Sequence, residues 1–265
     1  MEWGRVKTIF IIIFSAVNVF LLSIYLKAEY TNNMLEDNIV KDTVQILSAN
    51  NIEIDKDTVP KSLENVKICN IENTYADTET MLKVIYKNAE KNGMEWFNQS
   101  NVDVDGANFT CNIPGTDKNN YDNPEKYAEK VFSKIGLISA GQYKIIKKDD
   151  KIFFYLTFDG KIIFDSYIYI KVKDNKITEI FGSNCLGDKV TEGSMAKVVS
   201  PAEILINFAS EYGEPGKMRI TNIESGYFAG KRTKAVKITA APVWKAKTSD
   251  GKVFYFDMRN GDLLE

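Results

Sequence analysis

Apolar and polar positions follow three different rhythms along the chain. From Thr8 to Leu26 there is hardly any alternation, and 19 residues pass without a charge. A helix rises 1.5 Å per residue, so this run spans roughly 28 Å, close to the ~30 Å hydrocarbon core of a bilayer. Over residues 29–50 the apolar positions recur every three or four residues, at Leu35, Ile39, Thr43 and Ile46 or Leu47. That narrow stripe predicts a juxtamembrane helix or stalk. "NIEID", Asn51 to Asp55, alternates like a short strand, and Pro60 punctuates the stretch after it.

A helix is predicted from Asp77, with Asp77 or Thr78 as its cap. Leu82, Ile85 (or Tyr86) and Ala89 form its face, and Gly93 ends it. "NFTCNI", Asn108 to Ile113, reads as a strand, and "PGTDKNNYDNP" reads as a linker. After the linker one scheme occurs twice. Asn123 caps and Pro124 opens a helix with Tyr127, Val131, Phe132 and Ile135 on one face, ended near Gly136. Strands "YKIIKK", "KIFFYLTF", "IIFDSYIYIKV" and "KITEIFG" come next, with Asp159–Gly160 and Asp174–Asn175 as turn pairs of the kind hairpins use. "KIFFYLTF" is aromatic and apolar on both faces, which places it centrally or against a neighbour. Ser200, Pro201 and Glu203 then form a capping box for a second helix. Its face is Ile204, Leu205, Phe208 and Tyr212, and Gly213 ends it. The strands "MRITNIESGYF", "AVKITAAPVWKAKT" and "KVFYFDM" close the chain.

The predicted class is α+β, each unit pairing one helix with an antiparallel meander. The expected organisation has a cytoplasmic stub at 1–7, a transmembrane helix at 8–26 and a juxtamembrane segment at 27–50. A first extracytoplasmic domain occupies 51–115. A second, at 122–265, is made of two helix–meander repeats, 122–190 and 200–265.

The apolar run reads as a retained anchor rather than a cleaved signal peptide. A cut after Ala28 would put Leu26 at the −3 position, where a small residue belongs, and no Cys comes after it to take a lipid. Arg5 and Lys7 precede the helix, against Lys27 after it with Glu29, Glu36 and Asp37 close by. This bias predicts a cytoplasmic N-terminus and an extracytoplasmic remainder, with Trp3, Arg5 and Lys7 as membrane-flank residues. Within the run, Asn18 is costly in hydrocarbon. Either the anchor tolerates it, or its amide bonds to a neighbouring helix with Ser15 helping from one turn earlier.

Composition narrows the chemistry. Lys plus Arg number 34 and Asp plus Glu 36, a net charge of −2 that argues against a nucleic-acid binder. The chain contains no His, which removes the commonest general base and zinc ligand and rules out Ser–His and Cys–His catalysis. Cys69, Cys111 and Cys185 are widely spaced and contain no CxxC, so they read as small buried hydrophobes, with one disulfide as the alternative. "NVDVDG", Asn101 to Gly106, copies the first half of a calcium loop, but its twelfth position is Asn112 where Glu is needed. A polar hairpin turn is the simpler reading. No phosphate-binding glycine motif occurs, and neither catalytic residues, cofactor nor metal is expected. Asn98 and Asn108 match the glycosylation pattern without further support. Trp244, Tyr255 and Phe256 read as core and cross-strand residues.

The opening, with Glu2, Trp3, the run Lys7 to Ile12 and "N-x-F-L" from Asn18 to Leu21, resembles the YycI (WalI) family of membrane-anchored regulators. The match continues loosely through Asn51 to Pro60. It ends in "APVWKAKTSDGKVFYFDMRNGDLL", a closing hairpin that is also similar to the last strands of PepSY-type domains. The resemblance implies a non-enzymatic accessory of a bacterial cell-wall two-component system. Its partners would be a WalK-like sensor histidine kinase, which it modulates and in many members restrains, and a YycH-like protein, all at the cell membrane. It also gives Ser15, Asn18 and Phe20 a role as transmembrane contact residues. Neither nucleic acid nor a small-molecule substrate is expected. A second reading is an anchored PepSY-like module that inhibits or chaperones an extracytoplasmic protease or wall hydrolase.

Overall fold

A computed structural model describes residues 3–32, 34–63, 65–94, 96–113, 122–138, 142–185, 189–211, 216–230 and 237–264. Residues 114–121 of the expected linker, Tyr212 and Gly213 of the expected helix end, and Glu2 lie outside the described residues. The protein is α+β, with one apolar N-terminal helix and a large mixed sheet.

The first helix, α1 (Trp3–Asn32), contains an apolar span from Val6 to Lys27 with a mean hydropathy of 2.6, and none of the span is buried within the fold. The expected stalk behaves differently. Its second half is a separate helix, α2 (Asp37–Ala49), that lies in a core rather than projecting. Its buried face is Val40, Thr43 and Leu47, while Ile39 and Ile46 are exposed. Leu35, Thr43 and Leu47 of the predicted stripe are thus buried, while Val40 takes the place of Ile39, because both positions fit a helical period and packing selects one of them.

Strand β1 (Ile52–Ile54) comes immediately after and pairs in parallel with β10 (Met218–Phe228). Helix α5 (Pro201–Glu211) packs beside α2, above β10, β11 (Lys237–Thr248) and β12 (Val253–Asp257). The expected Ser200 cap is present, its Oγ accepting from the Glu203 N–H at 3.1 Å. Phe208 of α5 meets Phe254 and Phe256 with ring centroids at 5.0 and 5.2 Å. Trp244 pairs across strands with Phe256 and is buried with it, as the alternation predicted.

A second core lies under α3 (Thr78–Lys91) and α4 (Pro124–Ile135). Asp77 caps α3 by accepting from the Thr80 N–H at 2.7 Å, and Asn123 caps α4 by accepting from the Lys126 N–H at 3.0 Å. Gly136 ends α4 in the left-handed conformation, φ +85°, which glycine adopts without the Cβ penalty. The sheet beneath runs β3 (Val102–Asp105), β4 (Asn108–Asn112), β8 (Lys176–Ser183), β7 (Lys161–Lys173), β6 (Lys151–Phe158) and β5 (Tyr143–Lys148), all antiparallel. "NVDVDG" is therefore β3 and its hairpin turn. Asp159–Gly160 and Asp174–Asn175 both have positive φ and form the predicted turns. This core draws residues both from the 51–115 stretch and from 122–190.

The two sheets join where β7 and β10 run parallel, with Tyr227 opposite Ile163. Cys69, Ile71, Ile163, Tyr227 and Ala240 fill the seam, and the Tyr227 hydroxyl donates to the Lys67 carbonyl at 2.8 Å. Cys69 and Ile71 belong to β2 (Val66–Glu72), which pairs with β11 and with β9 (Lys189–Ala196). Cys69, Cys111 and Cys185 are all buried, as their scattered placement suggested.

Candidate functional site

On α1, every predicted contact residue of the apolar run faces outward. At 100° per residue, Ser15 and Asn18 lie about 60° apart and share a face, whereas Phe20 lies about 160° round from Asn18. Phe20 is 63% exposed, so it is available to a different neighbour from the one that meets Ser15 and Asn18. Thr8 Oγ1 donates back to the Gly4 carbonyl at 3.0 Å and Ser23 Oγ to the Phe20 carbonyl at 2.7 Å, so these hydroxyls are satisfied within the helix. Asn18 has no such bond among the described residues. In hydrocarbon its amide gains most by meeting a polar group on another helix. At the flank, the Lys7 ammonium sits 5.6 Å from the centre of the Trp3 ring, an amphipathic pair suited to the bilayer interface. Arg5 belongs to the same helical turn.

The helix is coupled tightly to the folded body beyond it. Three residues after α1 ends, the Leu35 N–H donates to the Lys61 carbonyl at 2.7 Å, and Met34 bridges Ser62. Leu35 itself is buried in the α2–α5 core. The Lys61 ammonium then donates to Asp37 Oδ1 at 2.6 Å, and Lys56 lies 3.9 Å from Oδ2. The hydrogen bond from Lys61, followed by the charge of Lys56, holds the Asp37 carboxyl below the usual carboxylate range. Backbone pairing, burial and charge therefore all fasten the exit of the apolar helix α1 to one body. The periodicity of residues 29–50 showed a helix, but Lys61 and Ser62 lie too far along the chain for any local signal to reveal this contact.

A second surface is aromatic. On the sheet face opposite the α3–α4 core, Phe153, Tyr155, Tyr167, Tyr169 and Phe181 are half-buried and contact one another across β6, β7 and β8. Their centroids lie between 5.0 and 6.1 Å apart. The Lys151 ammonium covers the Tyr169 ring at 4.2 Å, and the Tyr169 hydroxyl donates to Glu179 at 2.7 Å. Burial, aided by Glu179, pushes the Tyr169 phenol well above its ordinary value. Burial pushes Tyr155 up to about 12. These phenols stay neutral at physiological pH, so the face offers aromatic rings and hydroxyls. Among the described residues no group of three or more Cys, Asp or Glu is placed to hold a metal ion.

The YycI protein family model matches residues 30–257. Among solved structures, the crystal structure of YycH from Bacillus subtilis is similar at 16% identity with a TM-score of 0.42, over 72% of this chain and 50% of that one. The chain thus spans about half the length of that structure. No curated protein matches the chain.

Proposed function

The chain belongs to the YycI family, and on that premise we propose that it is a membrane-anchored, non-enzymatic accessory of the WalK-type two-component system. It would modulate the sensor histidine kinase, in the restraining sense, alongside a YycH-like partner. Its N-terminus would be cytoplasmic and its folded part extracytoplasmic, with a closing hairpin of PepSY type. The family match over residues 30–257 carries this reading. Two structural features support it. The anchor helix is apolar and unburied along its span, with a single amide at Asn18 in its middle, and its exit is fastened to a folded body. A regulator of this kind needs to favour one kinase state over another by only ~1–3 kcal/mol. A hydrogen bond at Asn18, worth ~0.6 kcal/mol on average and up to ~2 between membrane helices, lies within that scale.

The test is site-directed crosslinking in the native membrane with the cell's own WalK-type kinase, comparing wild type, Asn18→Leu and a chain lacking α1. Capture by wild type that weakens in Asn18→Leu supports the reading. Recovery of a protease or wall hydrolase by the chain lacking α1, with the kinase never captured, would replace it by the inhibitor module.

A further inference from the structure

The two sheets meet at a single registered pair, Tyr227 opposite Ile163, and then diverge. A cleft of about 990 Å³ opens beside this pair, and several of the residues that border it are held by hydrogen bonds to one another. Asp165, just after the seam on β7, accepts from the backbone N–H groups of Ala229 and Gly230 at 2.9 and 2.8 Å. The Asn184 side-chain amide donates both to Asp165 Oδ2 at 3.1 Å and to the Gly230 carbonyl at 2.9 Å. Asn184 itself is 6% exposed and in the left-handed region, φ +54°. Its own backbone N–H donates to the Ala107 carbonyl at 3.0 Å, and its carbonyl accepts from Ser166 Oγ at 3.2 Å. Four chain segments that the sequence keeps far apart, at Ala107, Asp165–Ser166, Asn184 and Ala229–Gly230, are thus clasped at one point. The clasp fixes the residues that border the cleft relative to one another.

The lining restricts what could enter. Among the described residues of the lining Asp165 is the one ionisable side chain, and three N–H donors already occupy its carboxylate. Hydroxyl and amide groups from Ser183, Asn184 and Thr239 share the lining with the apolar surface of Phe228, Ala241 and Leu264. Such a lining suits a neutral molecule with hydroxyls around its edge and an apolar face. The buried Asn184 Oδ1 lacks a partner in the clasp, so a small rotation of that amide toward the cleft gains a hydrogen bond from an incoming hydroxyl. We infer that this cleft is a carbohydrate site of disaccharide size. An aromatic or aliphatic wall takes the C–H face of a pyranose, and the amide and hydroxyls take its equatorial oxygens.

The experiment is saturation-transfer NMR on the full chain in phospholipid nanodiscs, with cellobiose as probe and tetraglycine as comparator. Saturable transfer to cellobiose and none to tetraglycine is expected. Leu264→Trp, a substitution at a 42% exposed position that leaves the clasp untouched, is expected to abolish it by filling the cleft. Thr239→Val is expected to weaken it about fivefold, the loss of one neutral hydrogen bond. Circular dichroism melting of both variants verifies that they fold. Absence of transfer to wild type, transfer unchanged in folded Leu264→Trp, or preference for tetraglycine would each overturn the assignment.

Discussion

Lys61 donates to Asp37 at 2.6 Å across 24 positions of sequence, and this pair closes the loop between the end of the apolar helix α1 and the α2–α5 core. Both side chains are substantially exposed, so at neutral pH the pair is screened by salt and adds little to global stability. Its signature lies in acid. Asp37 titrates lower in the folded chain than in the unfolded one, because Lys61 and then Lys56 favour the carboxylate. The stabilisation is therefore complete above the ordinary carboxylate value, about pH 4, and is lost as pH falls below it toward the folded value. Asp37→Asn is expected to flatten the acid limb of urea midpoint against pH while leaving the neutral region nearly unchanged. Parallel curves for variant and wild type would sink the prediction.

The docked position of α2 makes a sharper distinction. Leu47 is fully buried among the residues of the α2–α5 core, and Ile46 beside it is 39% exposed. Leu47→Ala is expected to lower unfolding free energy by about 2–5 kcal/mol through lost transfer energy and the cavity left behind. Ile46→Ala is expected to lower it by less than about 1 kcal/mol. A projecting stalk would show neither the size of the first effect nor the difference. Chemical denaturation of the two variants distinguishes the cases.

What could be read from the chain was what is decided locally. The Asp77, Asn123 and Ser200 caps, the Asp159–Gly160 and Asp174–Asn175 turns, and the uncharged run from Thr8 each depend on neighbours a few residues away, and all are present. Features decided by distant partners were not legible. "KVTEGSMA" is mostly polar and weakly patterned, yet it is β9 because β2, more than a hundred residues earlier, offers it a ladder from Val66 to Glu72. That Val40 rather than Ile39 is buried on α2 depends on packing against α5 and the sheet. Asp165, Asn184 and Gly230 stand 19 and 46 positions apart and carry no motif, so the clasp emerges only when the strand ends converge.

Gly226 tests the seam directly. A Cβ at this position of β10 would lie 2.4 Å from Phe164 Cε2 and 2.6 Å from the Ile162 carbonyl oxygen. The ring can turn aside, but the backbone oxygen moves only if β7 moves. Gly226→Ala is expected to destabilise the chain by about 1–3 kcal/mol through overpacking. Adding Phe164→Leu should restore only part of that loss, because the carbonyl clash remains. Full restoration in the double variant, measured by thermal melting, would show that the ring alone sets the spacing.

Cys111 gives a prediction in the alkaline range. The thiol sits at 0% exposure in the α3–α4 core, and burial pushes it up to about 12. The fold therefore favours the neutral thiol over the thiolate more than the unfolded chain does. Its contribution is complete below the ordinary thiol value of about 8.5 and falls away as pH rises from there toward 12. Alkylation and pH-dependent denaturation both probe this. Native-state alkylation of Cys111 by iodoacetamide, resolved from Cys69 and Cys185 by mass spectrometry of the peptides, should be very slow at pH 8 and accelerate in urea along the unfolding curve. In Cys111→Ala, the fall in stability between about pH 8.5 and 11 should be shallower than in wild type, whatever the neutral-pH loss from the smaller side chain. Rapid native alkylation that levels off near pH 8.5 would show instead that solvent reaches the thiol and that the core around β4 opens without global unfolding.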